Sequence, residues 1–526
     1  MWFNGSNNIY NDYSSFPVLD GQEAADLDKF SINEKNIESR LLMGWAGYAV
    51  FAEIVQKDWF YAAPRIHILA GTGNNGGDGY VLAWQIMAST NKPVIIWQSG
   101  EPATQDAKYF CGLCSPKDLS DRIKFHEISA IQDESFLEKD IVVDAVFGTG
   151  LNKPPPENLQ KIFHLVNSRG KLIRIAMDIP SGVFSNGDSF QHTAFHAHYT
   201  YSFGSCKIGH LVEPGILSCG IVKIFSIGFY PKIFSGRRLI QPPVISPLRK
   251  AGGHKYSSGV VSVIGGSSGM EGAAIMAAKS FLSLGGGLAR IYSVSASIIK
   301  ILNENPEFMI QSFSQTSAME NHVFESFSAN LKNHVLVIGV GLKENLSADF
   351  WKKILSSRGL RMVVDGSGLG QIAAHEDSAR NHTISDLILT PHKSEAERLL
   401  GRKITNVRKD ALEISARYNA HVYLKGPGGI LVLKNSGNFG EIYPNSRHYE
   451  LSTGGTGDIL SGVIANFLCR GEAGETLEAA LSVYLKAASL AVEKNMHQKD
   501  FLTPSEIIDS LRMSLDHSSQ PELRPT

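Results

Sequence analysis

The sequence predicts an α/β protein of two successive three-layer domains, each a parallel sheet held between helix layers. Three observations predict it. Short runs are apolar at nearly every position, as strands buried on both faces are. Each run leads through a glycine turn into an amphipathic helix, and this order repeats along the chain. One segment near the middle, residues 230–259, is rich in Pro, Gly and Ser and lacks helical periodicity.

In the first half the strand runs are RIHILAG (65–71), PVIIWQ (93–98), IVVDAVFG (141–148), KLIRIAMDI (171–179), YTYSFG (199–204) and IVKIFSIG (221–228). In the second they are VVSVIGG (260–266), LARIYSV (288–294), HVLVIG (334–339), RMVVDG (361–366), DLILTP (386–391), HVYLKG (421–426) and ILVLK (430–434). Pro242 and Pro243 bar a helix or a central strand from the linking segment. The chain therefore divides there, into residues 1–238 and 239–526. The halves share their layer grammar but no motif, so they do not read as a duplication.

The 50 Lys and Arg balance 51 Asp and Glu over 526 residues. That leaves no electrostatic footprint for a nucleic acid or a membrane surface. No apolar run reaches the ~18 residues of a membrane span, and MWFNGSNNIYNDYSSF has neither the basic nor the apolar region of a secretory signal. A cytoplasmic, reduced protein is expected, acting on small molecules and assembled as a homo-oligomer. Of the five Cys, Cys111 and Cys114 form a C-x-x-C in a stretch that reads as a loop. No second pair exists to complete a metal site.

Ligands of open α/β sheets bind beyond the carboxyl ends of the strands, so those ends hold the candidate residues. The first strand runs into GTGNNGGDG, with Asn74, Asn75, Gly76, Gly77 and Asp78 at a helix start. Bare amides and the helix dipole suit an anion there, and an Asx-capped turn is the plainer alternative. Asp144 stands in an apolar stretch, where an unpaired carboxylate is costly. With Asn75 and Ser181 it would offer oxygens to a hard cation. Gly148, Thr149, Gly150, Leu151, Asn152, Lys153 and Pro154 follow and would wrap a ligand. Asp178 ends the next strand and Lys207 lies in FGSCKIGH. The two make an acid–base pair if they converge, or a structural ion pair.

LLMGWAG, GNNGGDG, DAVFGTGL, DIPSGV and FGSCKIGH, in this order over about residues 18–230, resemble the NAD(P)H-hydrate epimerase domain of bifunctional NAD(P)H-hydrate repair enzymes. The resemblance implies a Rossmann-like fold that binds a hydrated nicotinamide dinucleotide through Asn74–Asp78, Gly148–Pro154 and Asp178. It also implies K+ at Asn75, Asp144 and Ser181, and Asp178 with Lys207 as the catalytic pair. This chain differs in having Gly44-Trp45 where the family has Glu-Asn, and His198 where it has Asp.

In the second half a small-residue helix start, Gly272-Ala273-Ala274, allows close approach of a ligand or of another helix. Gly341 marks a further strand end. Thr390, Pro391, His392 and Glu395 mark another, where a lone His is as readily a helix cap as a ligand contact. VYLKGPGGILVLK reads as a hairpin whose turn, Lys425, Gly426, Pro427, Gly428 and Gly429, could touch a nucleotide. STGGTGD then sets Gly454, Gly455, Thr456 and Gly457 at a helix mouth, where consecutive amides form an anion hole. The adjacent Asp458 would take the proton of an alcohol attacking a terminal phosphate. No Gly-Lys-Ser/Thr follows, so this is not a Walker A loop.

With HKYSSG, GGSSGMEGAA, NPEFM, TPHKSEAERLL and LKGPGG, this half is similar to the ADP/ATP-dependent NAD(P)H-hydrate dehydratases of the ribokinase-like superfamily, over about residues 245–515. The resemblance implies hydrate contacts at Ala273, Gly341, His392 and Asp458. It implies nucleotide contacts at Lys425–Gly429 and in the Gly454–Gly457 loop, with Mg2+ accompanying ADP or ATP. The chain differs from the family at Asp365-Gly366-Ser367, in NSRHYELSTGG, and at Lys486. The expected activity is repair of hydrated NADH or NADPH, one half interconverting R and S hydrates and the other dehydrating S. The alternative is a ribokinase-like kinase of a small vitamin precursor with a non-catalytic N-terminal binding domain. A plain dehydrogenase is disfavoured, because GTGNNGGDG is not the G-x-G-x-x-G fingerprint and no acidic ribose partner follows at the expected offset.

Overall fold

The structure, a computed structural model, describes residues 17–115, 122–232, 234, 236–241, 255–303, 306–328, 333–435, 438–444, 451–494 and 502–515. Pro242, Pro243, the whole of NSRHYE and the first residues of HKYSSG and NPEFM lie outside these residues. The chain forms two compact units that join in sequence at Leu239 and Ile240.

The first unit opens with β1 (Val18–Leu19) and helices α1 (Gly21–Lys29), α2 (Ser39–Ile54) and α3 (Asp58–Ala62). Then come β2 (Ile66–Ala70), α4 (Asn74–Ser89), β3 (Val94–Gln98), α5 (Gln105–Leu113), β4 (Ile123–Glu127), β5 (Ile141–Ala145), α6 (Glu157–Ser168) and β6 (Ile173–Met177). β7 (Tyr199–Phe203), β8 (Cys206–Lys207), α7 (Ile208–Leu211), β9 (Ile221–Phe225) and β10 (Arg237–Leu239) close it. The main sheet has the order β4-β3-β2-β5-β6-β7-β9, all parallel.

Alternate side chains of each central strand leave the sheet on opposite faces. Ile66, Ile68 and Ala70 of β2 pack with α2 and α4, whereas Leu69 packs with Phe163 and Val166 of α6. That is the three-layer arrangement, and it explains why β2 and β5 are apolar throughout. The chain runs outward in both directions from β2 and β5, so their carboxyl ends flank a switch point. Apart from this sheet, β1 pairs in parallel with β8, Leu19 opposite Lys207.

The second unit has β11 (Val260–Ile264), α8 (Glu271–Ser283), β12 (Leu288–Ser293), β13 (Phe308–Ser312), α9 (Thr316–Ser328), β14 (His334–Ile338), α10 (Ala348–Leu355) and β15 (Arg361–Val364). α11 (Ser367–Ala374), α12 (Glu376–Arg380), β16 (Asp386–Leu389), α13 (Lys393–Leu400), α14 (Val407–Tyr418) and β17 (His421–Leu424) follow. The last elements are β18 (Ile430–Asn435), β19 (Asn438–Tyr443), α15 (Thr456–Leu468), α16 (Ala473–Lys494) and α17 (Pro504–Ser514). Its strands lie in the order β13-β12-β11-β14-β15-β16-β17-β18-β19, parallel as far as β17. The expected hairpin is there, β17 and β18 being antiparallel around Lys425–Gly429.

Each strand run expected from the sequence is a strand, and the α/β reading holds in both units. The reading missed β4 and β13, each at the edge of its sheet, and also β19 and the short strands β1, β8 and β10. It also misplaced the C-x-x-C: Cys111 lies in helix α5 and Cys114 caps its end, not in a loop. Cys114 is buried, burial pushes its thiol above the ordinary range, and the five cysteines are free. No described helix is long and apolar enough to cross a membrane.

Candidate functional site

In the first unit the carboxyl ends of the strands open on a cavity of about 590 Å3. Asn74, Asn75, Asp78, Gly148, Thr149, Gly150, Leu151, Asn152, Lys153, Asp178 and Lys207 line it. Gly76 and Gly77 do not. A Cβ on Gly76 would sit 2.0 Å from the Gly71 carbonyl oxygen, and one on Gly77 2.5 Å from Met43 Sδ. These glycines let α4 start hard against the sheet and α2. Pro154 also lies off the lining.

Asp178 and Lys207 converge. Lys207 Nζ donates to Asp178 Oδ1, and also to Ser202 Oγ (2.9 Å) and the Phe203 carbonyl (3.1 Å). Lys207 is 2% exposed, so its charge depends on these partners. Asp178 has φ +60°, a left-handed backbone that aims its carboxylate at the amine. Its Oδ1 further accepts from Ser202 Oγ (3.2 Å) and the Phe203 amide (3.3 Å). Behind the pair, His210 Nδ1 accepts from the Lys207 amide and Nε2 donates to the Asp178 carbonyl. Burial, then Lys207, pushes this imidazole down to about 3, so it stays neutral.

Asp144, Ser181 and Asn75 also come together. Asp144 is fully buried and accepts from the Ser181 amide (2.6 Å), Ser181 Oγ (2.6 Å) and the Val146 amide (3.2 Å). Burial outweighs those bonds and lifts its carboxyl to about 6. Asn75 Nδ2 donates to the Phe147 carbonyl (3.0 Å), and Asn75 Oδ1 is buried with no partner. An orphaned amide oxygen beside a buried carboxylate and a hydroxyl is a donor set that fits a hard monovalent cation.

Gly44 and Trp45 are not on the cavity wall, and Trp45 turns to solvent. His198 Nδ1 accepts from the Arg174 amide (3.0 Å), with Arg174 Nη2 3.2 Å from Nε2. Burial, then Arg174, holds it near 4, a neutral acceptor for the guanidinium. The sequence reading missed Asp28, Ser39, Thr72, Ser99 and Asp106, which line the same cavity. Ala24, Leu27 and Asp28 share one face of α1, the only sequence signal for Asp28.

In the second unit a cavity of about 120 Å3 is lined by Lys425, Gly426, Pro427, Gly428, Gly429, Thr456 and Gly457. Tyr423, Leu451, Tyr484 and Leu485 are also in its wall and were not foreseen. Gly454 and Gly455 stay off the lining, Gly455 serving as N-cap of α15 at φ +100°. No side chain caps α15; the Thr456 amide donates to the Thr453 carbonyl (3.4 Å), and the Gly457 and Asp458 amides that follow have no partner among the described residues. Gly457 has Asp365 Oδ2 and Lys425 Nζ each 3.2 Å from the place of a Cβ. Lys425 Nζ binds Asp365 Oδ1 at 2.7 Å, and Ser461 Oγ donates to Asp365 Oδ2 (3.2 Å).

Asp458 sits in the first turn of α15, half-buried, and makes no hydrogen bond or ion pair with the described residues. Burial, then the charge of Asp365, lifts its carboxyl to about 7, with Lys425 opposing. Gly341, at φ +60°, lies against Ala273, whose Cβ is 2.8 Å from where a Cβ on residue 341 would be. His392 is the N-cap of α13: its Nδ1 accepts from the amides of Ser394 and Glu395, and its side chain remains 55% exposed. Ser367 Oγ donates to the Leu342 carbonyl. Lys486 belongs to α16.

A family model described as NAD(P)H-hydrate dehydratase matches residues 261–512, and one described as YjeF-related protein N-terminus matches residues 39–209. The chain is 30% identical over 497 residues to the bifunctional NAD(P)H-hydrate repair enzyme Nnr of Moorella thermoacetica, covering 90% of this chain and 91% of that one. It is 29% identical over 463 residues to the protein of the same name from Escherichia coli, covering 85% and 82%. Among solved structures it is similar to an ADP/ATP-dependent NAD(P)H-hydrate dehydratase from Bacillus subtilis, co-crystallised with ATP/Mg2+, at 21% identity and a TM-score of 0.40, covering 51% of this chain and 93% of that one.

Proposed function

The chain belongs to the family of bifunctional NAD(P)H-hydrate repair enzymes, and from that premise we propose how its residues divide the work. It is an enzyme that repairs hydrated NAD(P)H, with an epimerase and a dehydratase domain. Residues 1–238 form the epimerase and 239–526 the dehydratase.

In the epimerase the hydrated nicotinamide enters the 590 Å3 cavity, held by Asn74, Asn75, Asp78 and the 148–154 loop, with Gly76 and Gly77 shaping the turn. Asp178 and Lys207 handle protons at the hydroxyl-bearing centre, the Lys207 ammonium bound to the Asp178 carboxylate. Asn75, Asp144 and Ser181 would hold K+, which would satisfy the orphaned amide oxygen and supply positive charge beside the 148–154 loop.

In the dehydratase the hydrate's hydroxyl lies against Asp458, Ala273, Gly341 and His392. ADP or ATP lies against Lys425–Gly429, its terminal phosphate facing the Gly454–Gly457 amides. The carboxylates of Asp365 and Glu395 beside Lys425 would face Mg2+ accompanying the nucleotide, which would neutralise phosphate charge. Asp458 takes the hydroxyl proton as the oxygen attacks the terminal phosphorus. Phosphate then leaves, the neighbouring carbon gives up a proton, and the ring regains its double bond.

The observation that carries this reading is Asp458 in the first turn of the uncapped α15, without a partner among the described residues, beside an ammonium already committed to Asp365. The test is to incubate the protein with mixed hydrate epimers and each nucleotide and follow reduced-nicotinamide absorbance. Recovery with release of free phosphate is expected. Accumulation of a stable phosphorylated alcohol would instead make the second unit a kinase.

A further inference from the structure

We propose that Asp28 is a second proton-handling carboxyl of the epimerase cavity, working opposite the Asp178–Lys207 pair on the ring of the bound hydrate. This rests on the epimerase reading and deepens it; Asp28 lies outside the 39–209 segment matched by the family model.

Position comes first. β1 pairs with β8 so that Leu19 stands opposite Lys207. α1 begins two residues later, fixed by a capping box between Asp20 and Glu23 and by Arg237, whose guanidinium binds Glu23 (Nη2 to Oε1, 2.8 Å). Its start is pressed against the cavity loop: a Cβ on Gly21 would lie 2.3 Å from Ser185 Oγ and 2.7 Å from the Thr149 carbonyl oxygen. The helix face carrying Ala24, Leu27 and Asp28 therefore becomes cavity wall, in the same chamber as Asp178 and Lys207.

Surroundings come second. Asp178 has an ammonium, a hydroxyl and an amide on its carboxylate. Asp28 has no hydrogen bond or ion pair among the described residues and is open to the cavity. The charged groups around the chamber are Asp78 on α4, Asp106 on α5, Lys153, Asp178 and Lys207. Asp28 is exposed, yet desolvation by the chamber walls around it, then the charge of Asp178, lifts its carboxyl to about 6, and Lys207 opposes. Asp78 is pushed well above the ordinary carboxyl range by burial, then by the charges of Asp178 and Asp28. A carboxyl lifted toward neutrality, facing one that is bound by an ammonium, gives the chamber the two differently placed carboxyls that paired acid–base work requires.

The chemistry uses both. Hydration of an enamine puts oxygen on the carbon next to the ring nitrogen. Asp178 takes the proton of that hydroxyl, the C=O bond forms, and the C–N bond breaks with its electron pair staying on nitrogen. The nitrogen takes the proton from Asp28. After the carbonyl turns its other face, nitrogen re-adds, returns its proton to Asp28, and the oxygen recovers its own from Asp178. Atoms and charge close over the cycle with no co-reactant. The C–O bond never breaks, so no dihydropyridine forms without the nucleotide.

The test measures loss of R hydrate by the full chain between about pH 5 and pH 8 for wild type, Asp28→Asn, Asp28→Glu and Asp178→Asn. Asp28→Asn should lower kcat about a hundredfold with KM nearly unchanged, and Asp28→Glu should restore part of it. The wild-type kcat should fall at the alkaline end, and Asp28→Asn should lose that fall. Wild-type kcat and profile in Asp28→Asn, with Asp178→Asn inactive, would overturn the proposal. Should Asp28→Asn fail to fold, a wild-type kcat that does not fall at the alkaline end, or Asp28→Glu leaving it unmoved, overturns it. If the wild type leaves R hydrate untouched, the epimerase reading itself is wrong and this inference goes with it.

Discussion

Asp458 is held where its charge is costly, and the cost sets two outcomes. Its folded carboxyl, lifted to about 7 by burial and then by Asp365, binds a proton more tightly than in the unfolded chain. Stability is therefore lost as pH rises from the unfolded value toward 7, while the base needed for turnover appears only above it. Nucleotide-dependent recovery of NAD(P)H should fall as pH drops through about 7. Asp458→Asn should lower turnover by about a thousandfold and raise the thermal midpoint at alkaline pH by a few degrees; unchanged turnover would refute the role. Lys207→Met strands Asp178 among donors meant for an ion pair. About 3–5 kcal/mol of stability should go with it, read from denaturant unfolding, and R-to-S conversion should stop. Asp178, Lys207 and Asp458 were legible because an acid or amine beside a glycine turn at a strand end is out of place chemically. Asp28 was not, since one acid on an amphipathic helix looks like any solvated position until β1 fixes which way that helix faces.

Strand recognition worked where strands are covered on both faces. β4 reads IKFHE and β13 reads FMIQS, each with exposed positions because each has a neighbour on one side only. Charge and alternation then mask the apolar run that marks β2 or β14. The C-x-x-C misled for a related reason: glycine and cysteine inside α5 break the pattern while packing keeps the helix. At α4 the glycines serve contact. Gly76→Ala would drive a methyl against the Gly71 carbonyl, costing about 1–3 kcal/mol as the helix start shifts. Chemical denaturation would measure it, and a stability equal to wild type would mean that α4 has room to move.

Two chemistries in one chain match a damage reaction that yields both epimers. With ADP or ATP the intact protein should clear mixed hydrates fully, whereas Lys207→Met should stall with only the R form left, as chromatography of the residue would reveal. Replacing K+ by a large organic cation should slow R-to-S conversion and spare dehydration of S, since Asn75 and Asp144 serve only the first; equal rates in both media would remove the cation from that role. The clasp between β1 and β8 has a bearing on synthesis. Leu19 meets Lys207 across almost the whole unit, so a ribosome making about 5–20 residues per second leaves the opening strand waiting roughly 10–40 s for its mate. An emerging chain therefore has no finished chamber until late, and β1, made well before β8, docks only after it.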